Sequence, residues 1–318
     1  MRTYVINKMG EIMYQEQELE KIFLKTFPFI IRDKKVVKKL LECKDNIVFE
    51  ERDEDNNLVG ISVVNENTIL LLCVDKEQRN KGIGSRLLKK SEHYILSRGY
   101  DKVNVGAGFD YLMPGVPVNK KVFDENLGRE NIFIAVDETA YNFFKKRGYH
   151  HSWGEANCFD LIQDLTKFNQ NNIRLGKNIN GIVYEWAKLE DLNKVVDCVN
   201  DGHSEFTKFY QNDSFYSEDS KQRVLIAKDK DLVVGCIIIN CETEEKEMGS
   251  AGCTTVRHSH RKRHIASNMV ILGTQYLKER GLKKSYISYT YSGLDKLYGY
   301  AGYEICIYYF MAEKDLND

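Results

Sequence analysis

VDKEQRNKGIGSRLLKKSEHYILSRGYDKVNV, residues 74–105, lies without a gap on VRHSHRKRHIASNMVILGTQYLKERGLKKSYI, residues 256–287. Val74, Arg79, Ile83, Tyr94, Arg98, Gly99 and Lys102 recur as Val256, Arg261, Ile265, Tyr276, Arg280, Gly281 and Lys284, all at an offset of 182. Register held over that length marks an internal repeat, and a repeat fixes domain organisation before any local reading does. Working outward, Leu58-Val59-Gly60 upstream matches Val233-Val234-Gly235, and FFKKRGY, residues 143–149, downstream matches LYGYAGY, residues 297–303. The same parts therefore come twice in the same order. Between the copies, TKFNQNNIRLGKNIN, residues 166–180, has the Asn- and Gly-rich composition of a linker. The expected domains are 1–165 and 181–318 joined by 166–180, a division that suits 318 residues.

Within the first copy, residues 46–51 and 58–64 read as paired strands around the turn DEDNN, and the apolar run 68–74 as a third strand. From Gly84 to Arg98, Leu87, Leu88, Ile95 and the rings of His93 and Tyr94 recur at helical spacing, with Gly99 as a C-terminal cap. Residues 102–105 return as a strand, and 139–147 form a helix stopped by Gly148. The class is mixed α/β.

Charged residues make up 29% of the chain, yet the net charge is -1, so no global basic field exists to hold nucleic acid or an anionic membrane. Any anion site must be local. The N-terminus lacks the apolar run of a signal peptide, and no stretch approaches the roughly 20 apolar residues of a membrane span. A cytoplasmic location is expected. The eight cysteines are scattered without a C-x-x-C pair and read as buried free thiols.

The local anion site is Gln78-Arg79-Asn80-Lys81-Gly82-Ile83-Gly84, between a strand and a helix. Glycines there let backbone N–H groups approach an anion, and the helix N-terminus adds its positive end, which together suit a diphosphate. Leu87 stands where a dinucleotide fingerprint wants glycine, and no G-x-x-x-x-G-K-[ST] occurs, so both rival phosphate motifs are weak.

The order strand, R-x-x-G-x-G, helix, strand, then a helix bearing Ala140-x-x-Phe143-Phe144-x-x-x-Gly148-Tyr149 resembles the GNAT acetyltransferase superfamily. It occurs twice, and the pairing is similar to tandem GNAT proteins of the mycothiol synthase type. The resemblance implies α/β (mixed α+β) architecture: two tandem GNAT folds, each a mixed, mostly antiparallel sheet with splayed central strands flanked by helices. It implies acetyl-CoA, or another acyl-CoA, as co-substrate. Carried over residue by residue, Leu72, Cys73 and Val74 would bind the pantetheine and thioester through backbone groups. Gln78, Arg79, Asn80, Lys81, Gly82, Ile83, Gly84 and Ser85 would hold the pyrophosphate, and Phe143 would line the channel. The family's direct attack in a ternary complex needs no covalent nucleophile, so Cys73 is read as packing.

Two departures bear on the proton donor. The family's usual tyrosine is Phe144 here, leaving Tyr141 three residues earlier as a candidate, or else as a packing or solvent-facing residue. The second copy keeps Tyr298 at the acid position, but its loop, Arg261 to Ala266, has His264 where the first has Gly82. The first copy is therefore expected to be the cofactor site, with the strongly basic second loop, alone or together with the first, as the alternative. Asp137 stands where the family often has asparagine. His150 and His151 are candidates for a base or for an exposed turn. His258, His260 and His264 with Cys253 have the residue types of a zinc site, but on a basic loop they read as surface, and no metal is expected.

Val105 to Tyr149 spans 44 positions and Ile287 to Tyr303 only 16, so the first copy carries 28 extra residues, 109–136. A long insertion holding Met113-Pro114-Gly115-Val116-Pro117 is expected either to wall or cover the acceptor pocket or to clasp the other copy. The expected activity is N-acetyl transfer to a primary amine of a small molecule or peptide, by a monomer with no nucleic-acid or membrane partner. A non-catalytic acetyl-CoA sensor is the alternative.

Overall fold

The computed structural model, which describes residues 9–27, 35–106, 113–118, 139–169, 181–243 and 246–317, alternates strands and helices as the repeat requires. Residues 1–158 and 307–318 form one unit and residues 159–306 the other.

The first unit begins with α1 (Met9–Thr26) and α2 (Lys35–Glu42), followed by β1 (Ile47–Arg52), β2 (Leu58–Asn65) and β3 (Thr68–Val74) as an antiparallel meander. The DEDNN turn closes because Asp53 Oδ1 accepts from the Asn57 amide at 2.8 Å while Asn56 takes φ +64°. Next come α3 (Ile83–Ser97), β4 (Lys102–Val105), β5 (Val116–Val118), α4 (Thr139–Lys145) and β6 (His150–His151). Leu87, Ile83 and Val59 seal α3 onto the sheet together with Phe49, Leu72 and Val74. Gly60 permits that close approach, since a Cβ there would lie 2.7 Å from Ile83 Cγ2.

The second unit contains β7 (Cys158–Asp164) from its second residue onward, β8 (Ile182–Trp186), α5 (Leu192–His203), α6 (Thr207–Tyr210), β9 (Gln222–Asp229), β10 (Leu232–Asn240) and β11 (Met248–Val256). It continues through α7 (Ile265–Glu279), β12 (Lys284–Tyr291) and α8 (Leu294–Gly299). The repeat holds in three dimensions: α7 starts and ends 182 residues after α3, and the short 3-10 turns at Lys76–Gln78 and His258–His260 keep the same offset. Gly235 repeats the role of Gly60, because a Cβ there would meet Met269 Cε at 2.9 Å and Ile265 Cγ2 at 3.0 Å. Apolar residues of α5, β9 and β10, among them Val195, Val199, Val224 and Ile226, build this unit's core with Tyr210 and Tyr216.

The chain ends in β13 (Glu304–Phe310) and β14 (Ala312–Asp315). The first sheet runs β1-β2-β3-β4-β14-β6, with β14 antiparallel to both neighbours. Lys102 Nζ ties this insertion down, 3.1 Å from Glu313 and 3.7 Å from Asp315, and Lys314 pairs with Glu92 at 2.9 Å. In the second sheet β7 lies beside β12, in the order β7-β12-β11-β10-β9-β8. Residues 159–165, which close the first copy in the sequence, belong to the second unit, and residues 307–318, which close the second copy, belong to the first. Residues 170–180 of the expected linker lie outside the described residues.

Candidate cofactor site

In each unit two parallel strands form a short ladder. The β3–β4 ladder covers Thr68↔Asn104 and Ile69↔Val105, and the β11–β12 ladder Met248↔Lys284 and Gly249↔Ser285. In the second unit, residues 250–256 of β11 and 286–291 of β12 continue past their ladder without pairing with each other.

At the open end of β3 the chain turns through two left-handed residues, Asn80 at φ +64° and Gly82 at φ +79°, before α3 begins at Ile83. Asp75 shapes the approach by accepting from the Glu77 amide at 3.0 Å. The first return bond of the helix runs from Arg86 N to Gly82 O at 3.0 Å, so the amides of Ile83, Gly84 and Ser85 precede the intrahelical ladder. Those donors, with the positive end of the helix dipole, border a cavity of about 200 Å³ in the first unit.

One side of the cavity is β3 and its loop, through Leu72, Val74, Gln78, Arg79 and Asn80, continuing into Gly82, Ile83, Gly84 and Ser85. Facing them, α4 and the turn after it contribute Thr139, Ala140, Phe143, Phe144 and Arg147, the last four at i, i+3, i+4, i+7 spacing. Thr26 and Phe27 from the end of α1, and Pro117 from β5, complete the lining. A Cβ on Gly84 would sit 3.3 Å from Phe143 Cε2, so the missing side chain keeps this gap open.

Ten of the twelve residues expected at the cofactor line this cavity; Cys73 and Lys81 do not. Strand alternation turns Cys73 into the core, where burial, opposed by a hydrogen bond with Thr26, pushes its thiol up to about 12. Its reading as packing agrees with that placement. Lys81 is exposed and donates to Gln78 Oε1 at 2.7 Å.

The electrostatics are one-sided. Among the described lining residues the ionisable side chains are Arg79 and Arg147, with no carboxylate or imidazole. Arg147 donates to Phe143 O and to Ser85 Oγ, both at 2.8 Å, and its guanidinium lies 3.7 Å from the Phe143 ring centroid. By contrast, Arg86 and Lys90 are engaged by Glu51 at 3.0 and 2.7 Å. Burial of the Glu51 carboxyl is outweighed by those two partners, so its pKa lies below the ordinary carboxylate value.

Tyr141, the candidate proton donor of the first copy, is not part of this cavity's lining. Tyr141 packs edge-on against Phe310 with ring centroids 5.1 Å apart, while Phe144 occupies the cavity wall. Tyr298 is buried in the second unit, where burial pushes its hydroxyl well above the usual range, and it lies 3.3 Å from Thr254 Oγ1. His151 is committed elsewhere too: Nδ1 accepts from the Met311 amide at 3.0 Å and Nε2 lies 2.9 Å from Ala156 O. Burial lowers its pKa, which suits a neutral ring. His150 is exposed, 3.7 Å from Glu313. Asp137 lies outside the described residues, as does the insertion apart from residues 113–118. In that described part Gly115 passes so close to Phe310 O that a Cβ would sit 2.6 Å from it, and β5 pairs with residues 308–310 of β13.

The second unit's loop keeps the backbone shape with different side chains. Lys262 at φ +63° and His264 at φ +59° repeat Asn80 and Gly82, so an imidazole occupies a left-handed position that glycine fills in the first copy. Its basic groups are internally engaged: Arg261 donates to Gly202 O at 2.7 Å, and Arg263 and His260 approach Asp229 at 3.4 and 3.3 Å. His258 lies 3.5 Å from Asp201. No cluster of three metal-ligating side chains occurs among the described residues.

Sequence reasoning missed Thr26, Phe27, Thr139, Ala140 and Arg147 in the lining. A signal for Arg147 was present: it stands four residues after Phe143 on a helix, and its counterpart in the repeat is Ala301.

A family model described as acetyltransferase (GNAT) domain matches residues 12–108, and one described as acetyltransferase (GNAT) family matches residues 183–298. Among solved structures, the chain is similar to a GCN5-related glucosamine N-acetyltransferase region in a fungal multi-domain GH3 beta-N-acetylglucosaminidase, with 18% identity and a TM-score of 0.72. That match covers 98% of this chain and 37% of the fungal protein. A tandem GNAT protein from the clavulanic acid biosynthesis pathway matches with 12% identity and a TM-score of 0.68, covering 99% of this chain and 97% of its own. A GCN5-related N-acetyltransferase from Sphaerobacter thermophilus gives 14% identity and a TM-score of 0.64, covering 95% and 93%. These likenesses show the fold. No curated protein matches this chain. No helix among the described residues is long and apolar enough to cross a membrane.

Proposed function

We propose that this chain, which belongs to the GNAT acetyltransferase superfamily as a tandem two-domain member, uses its first unit to transfer an acetyl group from acetyl-CoA to a primary amine. The observation that carries the reading is a first-unit cavity bordered by β3, a left-handed glycine and the first amides of α3, whose ionisable side chains among the described residues are both arginines. Acyl-CoA supplies an activated thioester. The residues present suit it: Gly82, Ile83, Gly84 and Ser85 offer backbone donors for the diphosphate, and Leu72 and Val74 offer a half-open strand for the pantetheine arm. The missing Cβ at Gly84 leaves room beside Phe143.

In the proposed reaction the neutral amine attacks the thioester carbonyl carbon, the C–S bond breaks, and the departing thiolate takes a proton as the amide forms. Cys73 is not a nucleophile in this reaction, since its thiol is buried and held protonated. The amine is a small molecule or a peptide. The assay is release of free CoA thiol over an amine panel that includes glucosamine, the acceptor named for the fungal region. Amine-stimulated release carries the proposal; CoA binding with no stimulated release by any amine assigns the chain instead to acyl-CoA sensing. Phe144 in the place of the family's tyrosine favours that second reading.

A further inference from the structure

The second copy shows what the fold needs at the end of α4, and an arginine is not part of it. There α8 leads to Ala301, which is fully buried, and Gly302 at φ +82°; in the first copy α4 leads to Arg147 and Gly148 at φ +87°. Both glycines stop the helix in the same way. Arg147 is therefore an addition particular to the first copy.

Its surroundings make it an unusual addition. Arg147 is held to Ser85, the third residue of α3, by a 2.8 Å hydrogen bond, and so stands at the positive end of that helix. Stacking on Phe143 and the bond to Phe143 O fix its plane. Two of its five donors are used by the protein, and among the described residues no carboxylate pairs with it, although neighbouring Arg86 and Lys90 share Glu51. A cation placed against a helix N-terminus, in one lining with Arg79 and with no carboxylate partner among the described residues, is unfavourable until an anion joins it. The guanidinium is also pre-ordered, so little side-chain freedom is lost on binding.

We infer that Arg147 is a cofactor-binding residue that grips the diphosphate of CoA from the α4 side, opposite the backbone amides of α3. The inference rests on the proposed CoA site. Its location beside Ser85 assigns it to the diphosphate and not to the 3′-phosphate.

The test is calorimetric binding of CoA and dephospho-CoA to the full-length chain, wild type against Arg147→Met, which keeps the aliphatic stacking, and Arg147→Lys, which keeps the charge. Loss of charge-assisted hydrogen bonds predicts Kd values raised about tenfold or more for both ligands in Arg147→Met. Arg147→Lys should recover part of that loss, and the unliganded thermal midpoint of Arg147→Met should stay at the wild-type value. Wild-type affinity in Arg147→Met, a loss confined to CoA and absent for dephospho-CoA, or a loss accompanied by a lowered thermal midpoint would each overturn the assignment. Failure of the wild-type chain to bind CoA at all would instead overturn the cofactor site itself.

Discussion

Gly84→Ala separates the two things a glycine at the start of a helix can do. Gly84 has no left-handed requirement, and it occupies the second turn-forming position of α3. Alanine there gains helix propensity of about 0.5–1 kcal/mol over glycine. Against this, the new Cβ would lie 3.3 and 3.5 Å from the edge of Phe143 and 3.6 Å from Val74 Cγ2, tight contacts that a half-buried ring can relieve by a small rotation. The second copy already tolerates Ala266 at the same place, 182 residues on. Stability should therefore be unchanged or raised by up to about 1 kcal/mol. Binding should move the other way. The methyl group enters the gap beside Phe143, so a diphosphate is expected to be pushed off the amides there, and losing one hydrogen bond to a charged group costs roughly 1.5–3 kcal/mol. CoA affinity should fall about tenfold to a hundredfold. Urea unfolding and calorimetric CoA titration on the same preparation read both terms. A variant that is clearly destabilised, or one that binds CoA as tightly as wild type, refutes the reasoning.

Cys73→Ala should retain kcat within about threefold, because the buried thiol is packing and not a nucleophile; mass spectrometry after treatment of the native chain with a thiol reagent should find Cys73 unmodified. Tyr141→Phe should leave turnover within about twofold, since its ring packs on Phe310 and not in the cavity wall. Removing residues 312–318 deletes β14 from the first sheet and should cost the first unit roughly 2–4 kcal/mol, from about three or four lost ladder hydrogen bonds. The measurement is urea unfolding followed by near-ultraviolet circular dichroism. His151 has a depressed folded-state pKa, so its contribution to stability is present above its unfolded value of about 6.5 and is lost as pH falls through the folded value. The unfolding midpoint should drop as pH is lowered below about 6.5, and His151→Gln should flatten the decline.

Much of the fold was legible because repeat and periodicity are local signals. The strands at 68–74 and 102–105 and the helix after Gly82 stand where the apolar spacing put them, and the offset of 182 carried them to the second copy. The cavity's loop side was legible for the same reason: glycine, a basic residue and a helix start lie within a few positions of one another. The strand exchange was not, because β14 meets β4 across more than 200 residues and its short sequence, AEKD, has no pattern that names a partner. The opposite wall was partly hidden. Phe143 followed from the family motif, but Arg147 acts through its stacking on Phe143 and its bond to Ser85, which only packing reveals. The expected proton donor Tyr141 shows the limit of reasoning from helical spacing. Three residues from Phe144 it shares that residue's general side of α4, yet Phe310 from the end of the chain claims its ring.

A crystal structure of the chain grown with CoA tests the central claim most directly. The account predicts CoA in the first unit, its diphosphate within hydrogen-bonding distance of the amides following Gly82 and of the Arg147 guanidinium. Density for CoA only at residues 261–266 of the second unit, or a first-unit cavity left empty at saturating ligand, would contradict it.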